Sequence, residues 1–144
     1  MLRGNSETKV DDKGRLKVPA AFQKVLNESF PGGVFFVTSL DGKSARVYPL
    51  TEWTKIESKF NSSFNGPQSR LKHKVNFWGG EVEADNQGRL LLPQRLREDL
   101  KMLGDVSVLG MVNYLEVITS NEARRLAEEP FTEADLKEIG EMGI

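Results

Sequence analysis

Two short segments of the chain repeat the same order of chemically useful residues. In each, an aspartate stands four residues before an arginine and a glycine directly precedes the arginine, as Asp11, Gly14 and Arg15 and again as Asp85, Gly88 and Arg89. A planar guanidinium can donate two parallel hydrogen bonds to the O6 and N7 atoms of guanine. It can equally form an ion pair with the nearby aspartate that only supports a turn. Both interpretations are open for Arg15, and they are compatible if Asp11 holds the arginine in its working rotamer.

Other residues that could carry chemistry are few. The chain has no cysteine, which excludes disulfides, thiolate metal sites and cysteine nucleophiles. It has one histidine, His73. The segment Gly42-Lys43-Ser44 resembles the end of a phosphate-binding loop, but Val37 occupies the position of the required earlier glycine. Glu81, Glu83 and Asp85 alternate and could attract a divalent cation, although a solvated strand edge explains them more simply. We therefore expect no enzyme activity, metal, cofactor or small-molecule substrate.

The overall composition is that of one compact domain. The 144 residues are 38% hydrophobic and 28% charged, which suffices for a core. The longest apolar runs are too short to cross a membrane, and the N-terminus lacks the apolar region of a secretory signal. Together with the missing cysteines, these features favour the cytoplasm and predict no membrane partner.

The net charge of −1 conceals an uneven distribution. The first seventeen residues are rich in cations, whereas the stretch from residue 116 to 144 is dominated by glutamate and aspartate. Two solvated faces would explain this distribution, and so would a basic surface for a polyanion with an acidic tail kept away from it. We expect the tail, residues 130–144, to contain at most one short helix.

The repeated motif belongs to a longer internal repeat. DDKGRLKVP at residues 11–19 reappears as DNQGRLLLP at residues 85–93, and each copy reads as strand, turn, strand, helix, strand, strand, helix. The aspartate and glycine predict a tight turn. After it, Leu16 and Val18 alternate with Arg15 and Lys17, which is typical of a half-buried strand. Pro19 and its equivalent in copy two fit the first turn of a helix.

The remaining elements divide the chain. Residues 5–51 and 79–122 are predicted to form the two repeats, and residues 62–78 a linker with a connecting helix over Gln68–Val75. Ser62–Gly66 has the composition of a hinge. Trp53, Phe60 and Trp78 are expected in the core because their spacing suits helix faces. Thr119 and Glu122 have the spacing of a capping box at the start of the last repeat helix.

The duplicated block resembles the MraZ family. The resemblance rests on both Asp-x-x-x-Arg elements, the opening Leu2-Arg3-Gly4-Asn5, the run Asp-x-Lys-Gly-Arg-Leu-x-x-Pro and the segment Gly79-Gly80-Glu81. It implies an α+β fold, a duplicated swapped-hairpin β-barrel made of two tandem AbrB/SpoVT-like repeats with short helices. It further implies a bacterial, nucleoid-associated transcriptional regulator that binds short direct repeats in promoter DNA, at the head of the division and cell-wall gene cluster. Rings of subunits are implied as well.

The residues and the resemblance together define a candidate DNA-binding set. Arg15 is expected to read bases from the hairpin, while phosphate contacts are expected from flanking cations. The candidate contacts are Arg3, Lys13, Arg15, Lys17 and Arg89, and the candidate hairpin supports are Asp11, Gly14, Asp85 and Gly88. Gln87 and Leu91 replace the lysines of copy one, which predicts a less basic hairpin around Arg89 and a weaker role for it. An interaction module that binds an acidic protein through the same hairpins is the alternative.

Overall fold

The computed structural model describes residues 1–60 and 66–144. Copy one comprises β1 (Leu2–Val10), β2 (Arg15–Lys17), α1 (Ala20–Ser29), β3 (Val34–Thr38), β4 (Ala45–Pro49) and α2 (Leu50–Glu57). Copy two comprises β5 (Gly80–Glu83), β6 (Arg89–Leu91), α4 (Gln94–Leu100), β7 (Gly104–Val112), β8 (Leu115–Thr119) and α5 (Ser120–Glu128). The connecting helix α3 (Pro67–Trp78) and a tail helix α6 (Glu133–Glu141) complete the chain. The predicted order of elements within each copy is therefore confirmed.

The two copies exchange their first strands within one antiparallel sheet. The strand order is β5-β3-β4-β8-β7-β1-β2-β6, which forms a nearly closed barrel. Strand β1 pairs with β7 of the other copy over its whole length, and β5 pairs with β3 in the same way. Strands β2 and β6 pair with each other, as do β4 and β8. The predicted α+β class and the swapped-hairpin barrel are both confirmed.

The barrel is filled by the alternate apolar residues that follow the two turns. Leu16 and Leu90 lie directly opposite each other across the β2–β6 pair and are fully buried. Val18 and Leu92, two residues further on, are also in the core. Burying such side chains stabilises a fold by about 1.5–3 kcal/mol each. Arg15 and Lys17 consequently face outward, as the alternation predicts.

The helices of both copies begin directly after a proline. Pro19 and Pro93 have extended ψ angles of 142° and 136°, so each is the N-cap residue, one position before the first helical turn. The prediction that these prolines lie inside the first turn was therefore wrong by one residue. A proline suits this position because its fixed φ directs the chain into the helix and no N–H is needed there.

One predicted cap is absent. Thr119 is the N-cap residue of α5, but its side chain makes no capping hydrogen bond. The carboxylate of Glu122 instead accepts a hydrogen bond from Arg125 Nε at 2.9 Å, because the arginine lies one helical turn further on. A complete capping box occurs in the tail, between Thr132 and Asp135 at the start of α6.

A second apolar cluster covers the outside of copy one. Phe36, Tyr48, Trp53 and Val75 are buried together, and the rings of Phe36 and Trp53 stack with centroids 4.5 Å apart. Phe60 lies beyond the end of α2 yet packs on the same cluster. Of the three aromatic residues predicted in the core, Trp53 is buried, whereas Phe60 and Trp78 are half-buried and pack against the two clusters from outside.

Helix α3 includes the predicted segment and extends it to Pro67 and Trp78. The predicted hinge lies outside the described residues apart from Gly66. None of the described helices is both long and apolar enough to cross a membrane.

Replacing Leu90 with alanine is expected to lower the free energy of unfolding by about 2–5 kcal/mol, because it leaves a cavity in the barrel. Leu91 is the matched control, since its side chain is 54% exposed on the opposite face of the same strand. Leu91→Ala should change stability by less than about 0.5 kcal/mol. Denaturant unfolding of both variants checks this, and equal losses would contradict the assignment of the two faces.

Candidate nucleic-acid interface

The outward face of the β2–β6 pair brings residues of both copies together. Directly opposite residues of antiparallel strands project to the same side. Arg15 lies opposite Leu91, and Lys17 lies opposite Arg89. These four residues form one surface, here called the arginine platform. With a rise of about 3.3 Å per residue, Arg15 and Arg89 are offset by only about 7 Å along the strands.

The turn before Arg15 is organised by the carboxylate of Asp11. Its Oδ1 atom accepts hydrogen bonds from the backbone N–H groups of Lys13 at 3.0 Å and Arg15 at 2.8 Å. Its Oδ2 atom accepts one from Arg15 Nε at 2.7 Å. The backbone N–H of Asp11 donates to the carbonyl of Arg15 and closes the hairpin. Asp11 therefore shapes the turn and also holds the arginine.

Copy two repeats this arrangement. Asp85 Oδ1 accepts hydrogen bonds from the backbone N–H groups of Gln87 and Arg89, both at 2.9 Å. Its Oδ2 atom accepts from Arg89 Nε at 2.8 Å. The loss of the lysine at position 87 leaves the turn unchanged, because only the backbone of that residue takes part. Both aspartates therefore bind backbone N–H groups of their own turns.

The hydrogen bonds to the two carboxylates favour their charged forms. The pKa of Asp11 is lowered below its ordinary value of 3.8, chiefly by the backbone N–H of Arg15, with burial opposing the shift. The pKa of Asp85 is lowered for the same reason, by the backbone N–H of Arg89. Both groups are therefore anions at neutral pH, the charge state in which each can pair with its arginine.

The ion pairs leave most of each guanidinium unused. Arginine has five N–H donors, and only Nε is bound by the aspartate. Within residues 1–60 and 66–144, no hydrogen bond involves the terminal nitrogens of Arg15 or Arg89. The side chains are 31% and 26% exposed. Each guanidinium is thus fixed at one edge and open at the other, so the supporting and the base-reading interpretations are geometrically compatible.

Gln23 and Arg97 connect each helix to the turn of the other copy. Gln23 Nε2 donates to the carbonyls of Val18 and Gly88, at 2.7 and 3.4 Å. Arg97 donates from Nε to the Leu92 carbonyl at 3.0 Å and from Nη1 to the Lys13 carbonyl at 3.4 Å. Sequence reasoning missed both residues. Their common position, four residues after the proline of each copy, was the available signal.

The two glycines make room for these side chains. A Cβ atom at Gly14 would lie 2.2 Å from Arg97 Nη1, and one at Gly88 would lie 2.2 Å from Gln23 Nε2. Both glycines also have positive φ angles, of 86° and 71°, which other residues adopt only with strain. A side chain at either position would therefore meet both a steric clash and backbone strain.

The other candidate cations differ in position. Lys13 is exposed at the tip of the first turn. Lys17 is exposed on the platform and its Nζ donates to the Gln87 carbonyl at 2.6 Å. Arg3 lies opposite Met111, seven residues before Val10 on β1 and so about 23 Å from the turn. The structure therefore brings four of the five candidates towards one end of the molecule and leaves Arg3 apart.

The surroundings of Arg89 are not those that the sequence suggested. Its neighbours in the chain include Gln87 and Leu91, but its neighbour across the strands is Lys17. Arg15, in the more basic copy, lies opposite the apolar Leu91. Because β2 of copy one pairs with β6 of copy two, both copies contribute residues to one surface. The charge of that surface therefore depends on both hairpins together and not on either hairpin alone.

The alternative chemical sites have structural explanations. Asp41 Oδ1 accepts hydrogen bonds from the backbone N–H groups of Lys43 and Ser44, so this segment forms a tight turn and not a phosphate-binding loop. Glu81 and Glu83 are exposed, and the described part of the chain contains no group of three acidic or histidine side chains placed to hold a metal ion. His73 is an exposed residue of α3.

Comparison with known proteins covers the chain from end to end. The family model described as "MraZ protein, putative antitoxin-like" matches residues 1–74 and 79–141. A protein of Acidobacterium capsulatum named Transcriptional regulator MraZ is 45% identical over 100% of both chains. Proteins of the same name from Koribacter versatilis and Serratia proteamaculans are 42% and 31% identical, over 100% and 92% of this chain and 100% and 95% of their own.

The lowered pKa values of Asp11 and Asp85 predict a loss of stability in acid. Stability from such groups is fully present above the ordinary value of 3.8 and is lost as the pH falls through the lowered folded-state pKa. In thermal melts from about pH 6 to about pH 2.5, the double variant Asp11→Asn, Asp85→Asn should melt lower at neutral pH and show a flatter acid dependence.

Asp12→Asn is the control, because it removes one exposed carboxylate from the same turn and no described hydrogen bond of the turn. It should retain the acid dependence of the parent. If the double variant and the parent lose stability in parallel over the acid range, the two carboxylates do not support the hairpins.

Proposed function

The chain belongs to the MraZ family. Its similar relatives are named transcriptional regulators, which indicates a DNA-binding regulator in place of an enzyme. From this premise we propose that the chain represses transcription by sequence-specific DNA binding in the cytoplasm, associated with the nucleoid. The observation that carries this proposal is the arginine platform, where two guanidinium groups are each held at Nε and open at their terminal nitrogens.

The platform suits the major groove of DNA. That groove is about 12 Å wide and admits a two-stranded β-ribbon, and the β2–β6 pair presents such a ribbon with its apolar side buried. The terminal nitrogens of Arg15 and Arg89 donate to O6 and N7 of two guanines. Their preset orientation reduces the side-chain entropy lost on binding. Leu91, exposed beside Arg15, offers an apolar contact for a thymine methyl group.

Phosphate contacts position this surface on the duplex. Lys13 at the turn and Lys17 on the platform are exposed and project from the same end of the barrel. Such contacts add affinity that is independent of sequence and falls with salt concentration. Arg3 remains a predicted phosphate contact, although its distance along β1 requires a different part of the DNA.

One platform spans few base pairs, so a single protein molecule binds DNA weakly. We infer that several protein molecules assemble head to tail into a ring. Once one platform of the ring is bound, the effective concentration for binding of the next platform to the same DNA is raised. Successive platforms then match short direct repeats, whereas a two-fold dimer would match a palindrome. On the family resemblance, these repeats lie upstream of the division and cell-wall gene cluster.

Arg15→Ala and Arg89→Ala should each weaken binding to operator DNA by about 1–3 kcal/mol per platform, because each removes a bidentate contact with guanine. Binding to scrambled DNA should change much less. Lys55→Ala is the control, since Lys55 is an exposed cation of α2, where it pairs with Glu52. Gel-shift titration on both DNAs, with a melting curve for each variant, provides the measurement. Parent-like operator binding by both arginine variants would refute base reading by the platform.

Lys13→Ala should weaken operator and scrambled DNA to the same extent and reduce the slope of log affinity against log salt. The reason is that a phosphate contact carries no base information. Titrations at several salt concentrations measure this slope for the parent, Lys13→Ala and Lys55→Ala. A parent without DNA affinity that binds an acidic protein instead would support the alternative function of the hairpins.

A further inference from the structure

Copy two has an open apolar groove on its outer surface. The groove lies between α5 and strand β7, and its apolar lining is Leu109, Met111, Ile118, Ala123, Leu126 and Ala127. Leu126 is 44% exposed and Met111 is 38% exposed. Single exposed apolar side chains are common, but a continuous apolar surface of this kind often marks an interface.

The equivalent surface of copy one is closed. Strands β4 and β8 are equivalent elements of the two copies, and they pair with each other from Ala45 opposite Val117 to Val47 opposite Leu115. The two-fold relation that exchanges these strands therefore makes Leu115 the equivalent of Ala45. The same offset equates Trp53 with Ala123. In copy one the large Trp53 side chain fills this place and is only 3% exposed. In copy two an alanine leaves it open.

The connecting helix α3 also covers copy one. Lys9 and Glu83 are equivalent residues of the two copies, and they pair with Asp105 and Val34 respectively. Val34 is therefore equivalent to Asp105, and Thr38, four residues further along β3, is equivalent to Leu109 of the groove. Thr38 Oγ1 donates to the carbonyl of Val75 in α3 at 2.6 Å, and Val75 is fully buried. The helix that follows copy one therefore lies directly over the position that the groove leaves uncovered in copy two.

The helix that follows copy two is α6, and it has an unpartnered apolar side. All of its side chains are exposed except the half-buried Ile139. Phe131 is 68% exposed, Leu136 is 57% exposed and Met142 is 64% exposed. Leu136, Ile139 and Met142 recur every three residues, and Phe131 and Leu136 occupy the positions of a hydrophobic staple around the Thr132 cap.

The connection between α5 and α6 is short and extended, and no residue of α6 lines the groove of its own chain. It consists of residues 129–132, whereas α2 and α3 are joined by residues 58–66. Glu129 and Thr132 are extended, and Pro130 disfavours a helical Glu129. An extended connection of this length places the start of α6 up to about 13 Å beyond the end of α5.

We propose that α6 of one protein molecule lies in the copy-two groove of a second, identical molecule. It occupies there the place that α3 occupies over copy one within each chain. Leu136 and Ile139 then pack between Leu126 and Met111. This contact rests on the oligomer of the proposed function and identifies its interface. Because tail and groove are different surfaces, the contact is heterologous and can continue from copy to copy until a ring closes.

The groove has one charge of each sign at its edge, because Glu116 lines it and Arg3 lies beside it. Arg3 lies opposite Met111 on the neighbouring strand, so its exposed side chain is on the groove side of the sheet. Helix α6 carries Glu133, Asp135, Glu138 and Glu141 against one lysine. An acidic helix seated on the Arg3 side of the groove gains from this attraction, and Arg3 then serves this contact in place of the phosphate contact considered above.

The test compares particle masses by light scattering. The parent should form particles of several times 16.2 kDa, and the tail variant Leu136→Asp, Ile139→Asp should fall to the mass of one chain. Ala134→Asp is the matched control, because it adds a negative charge on the opposite side of the same helix, and it should keep the parent mass. The groove variant Leu126→Asp should also be monomeric, with a melting curve to show that it folds.

Mixing the two monomeric variants identifies the contact. The tail variant has an intact groove and the groove variant an intact tail, so together they should form a one-to-one dimer and nothing larger. A mixture that stays monomeric would show that the tail of one molecule does not bind the groove of another, which overturns the proposal. So would a parent that is monomeric, or a tail variant that keeps the parent mass.

DNA binding separates this proposal from the proposed function. The tail variant should bind a fragment with one repeat as well as the parent does, within about twofold. On a fragment with several repeats it should bind at least about tenfold more weakly, because the linked contacts are lost. A parent that does not prefer operator DNA contradicts the proposed function alone, whereas unchanged binding to several repeats contradicts the tail contact alone.

Discussion

The antiparallel pairing of β2 with β6 is the interaction on which the functional surface depends. It places Leu16 and Leu90 opposite each other in the core and so leaves the flanking residues of both strands on one outer face. A shift of one residue in this register would bury Arg15 and expose Leu16, because successive side chains of a strand alternate between faces. The cost of burying a guanidinium and exposing a leucine therefore protects the register, and the register in turn defines the platform.

Within this frame, each turn uses one carboxylate for two tasks. The Oδ1 atom of Asp11 binds backbone N–H groups of the turn, and its Oδ2 atom binds the arginine that follows. An exposed ion pair of this kind contributes little to stability, so its main effect is on orientation. A guanidinium held at Nε in this way meets a ligand with its terminal donors already aligned. Gln23 and Arg97 each link the turn of one copy to a helix of the other copy.

The two copies differ most in what covers their outer surfaces. Copy one is closed by Trp53 and by the connecting helix, whereas copy two has Ala123 at the equivalent position and a tail that extends into solvent. A chain with an open groove on one repeat and an exposed apolar helix in its tail has two surfaces that can bind each other between molecules. The platform is made by both copies within the chain, and the groove belongs to copy two alone. DNA contact and assembly are thus located on separate surfaces of the barrel.

The sequence by itself determined the local features of this protein. The order of aspartate, glycine and arginine specifies the turn, the alternation after it specifies which side chains face inward, and each proline marks a helix start. These features depend on neighbours in the chain. The tertiary structure alone decided that Arg89 lies beside Lys17, that Gln23 and Arg97 bind the opposite turns, and that Arg3 lies far from the platform. Each of these depends on pairing between segments about seventy or more residues apart in the sequence, whose register is selected by the packing of the whole barrel and not by any local preference.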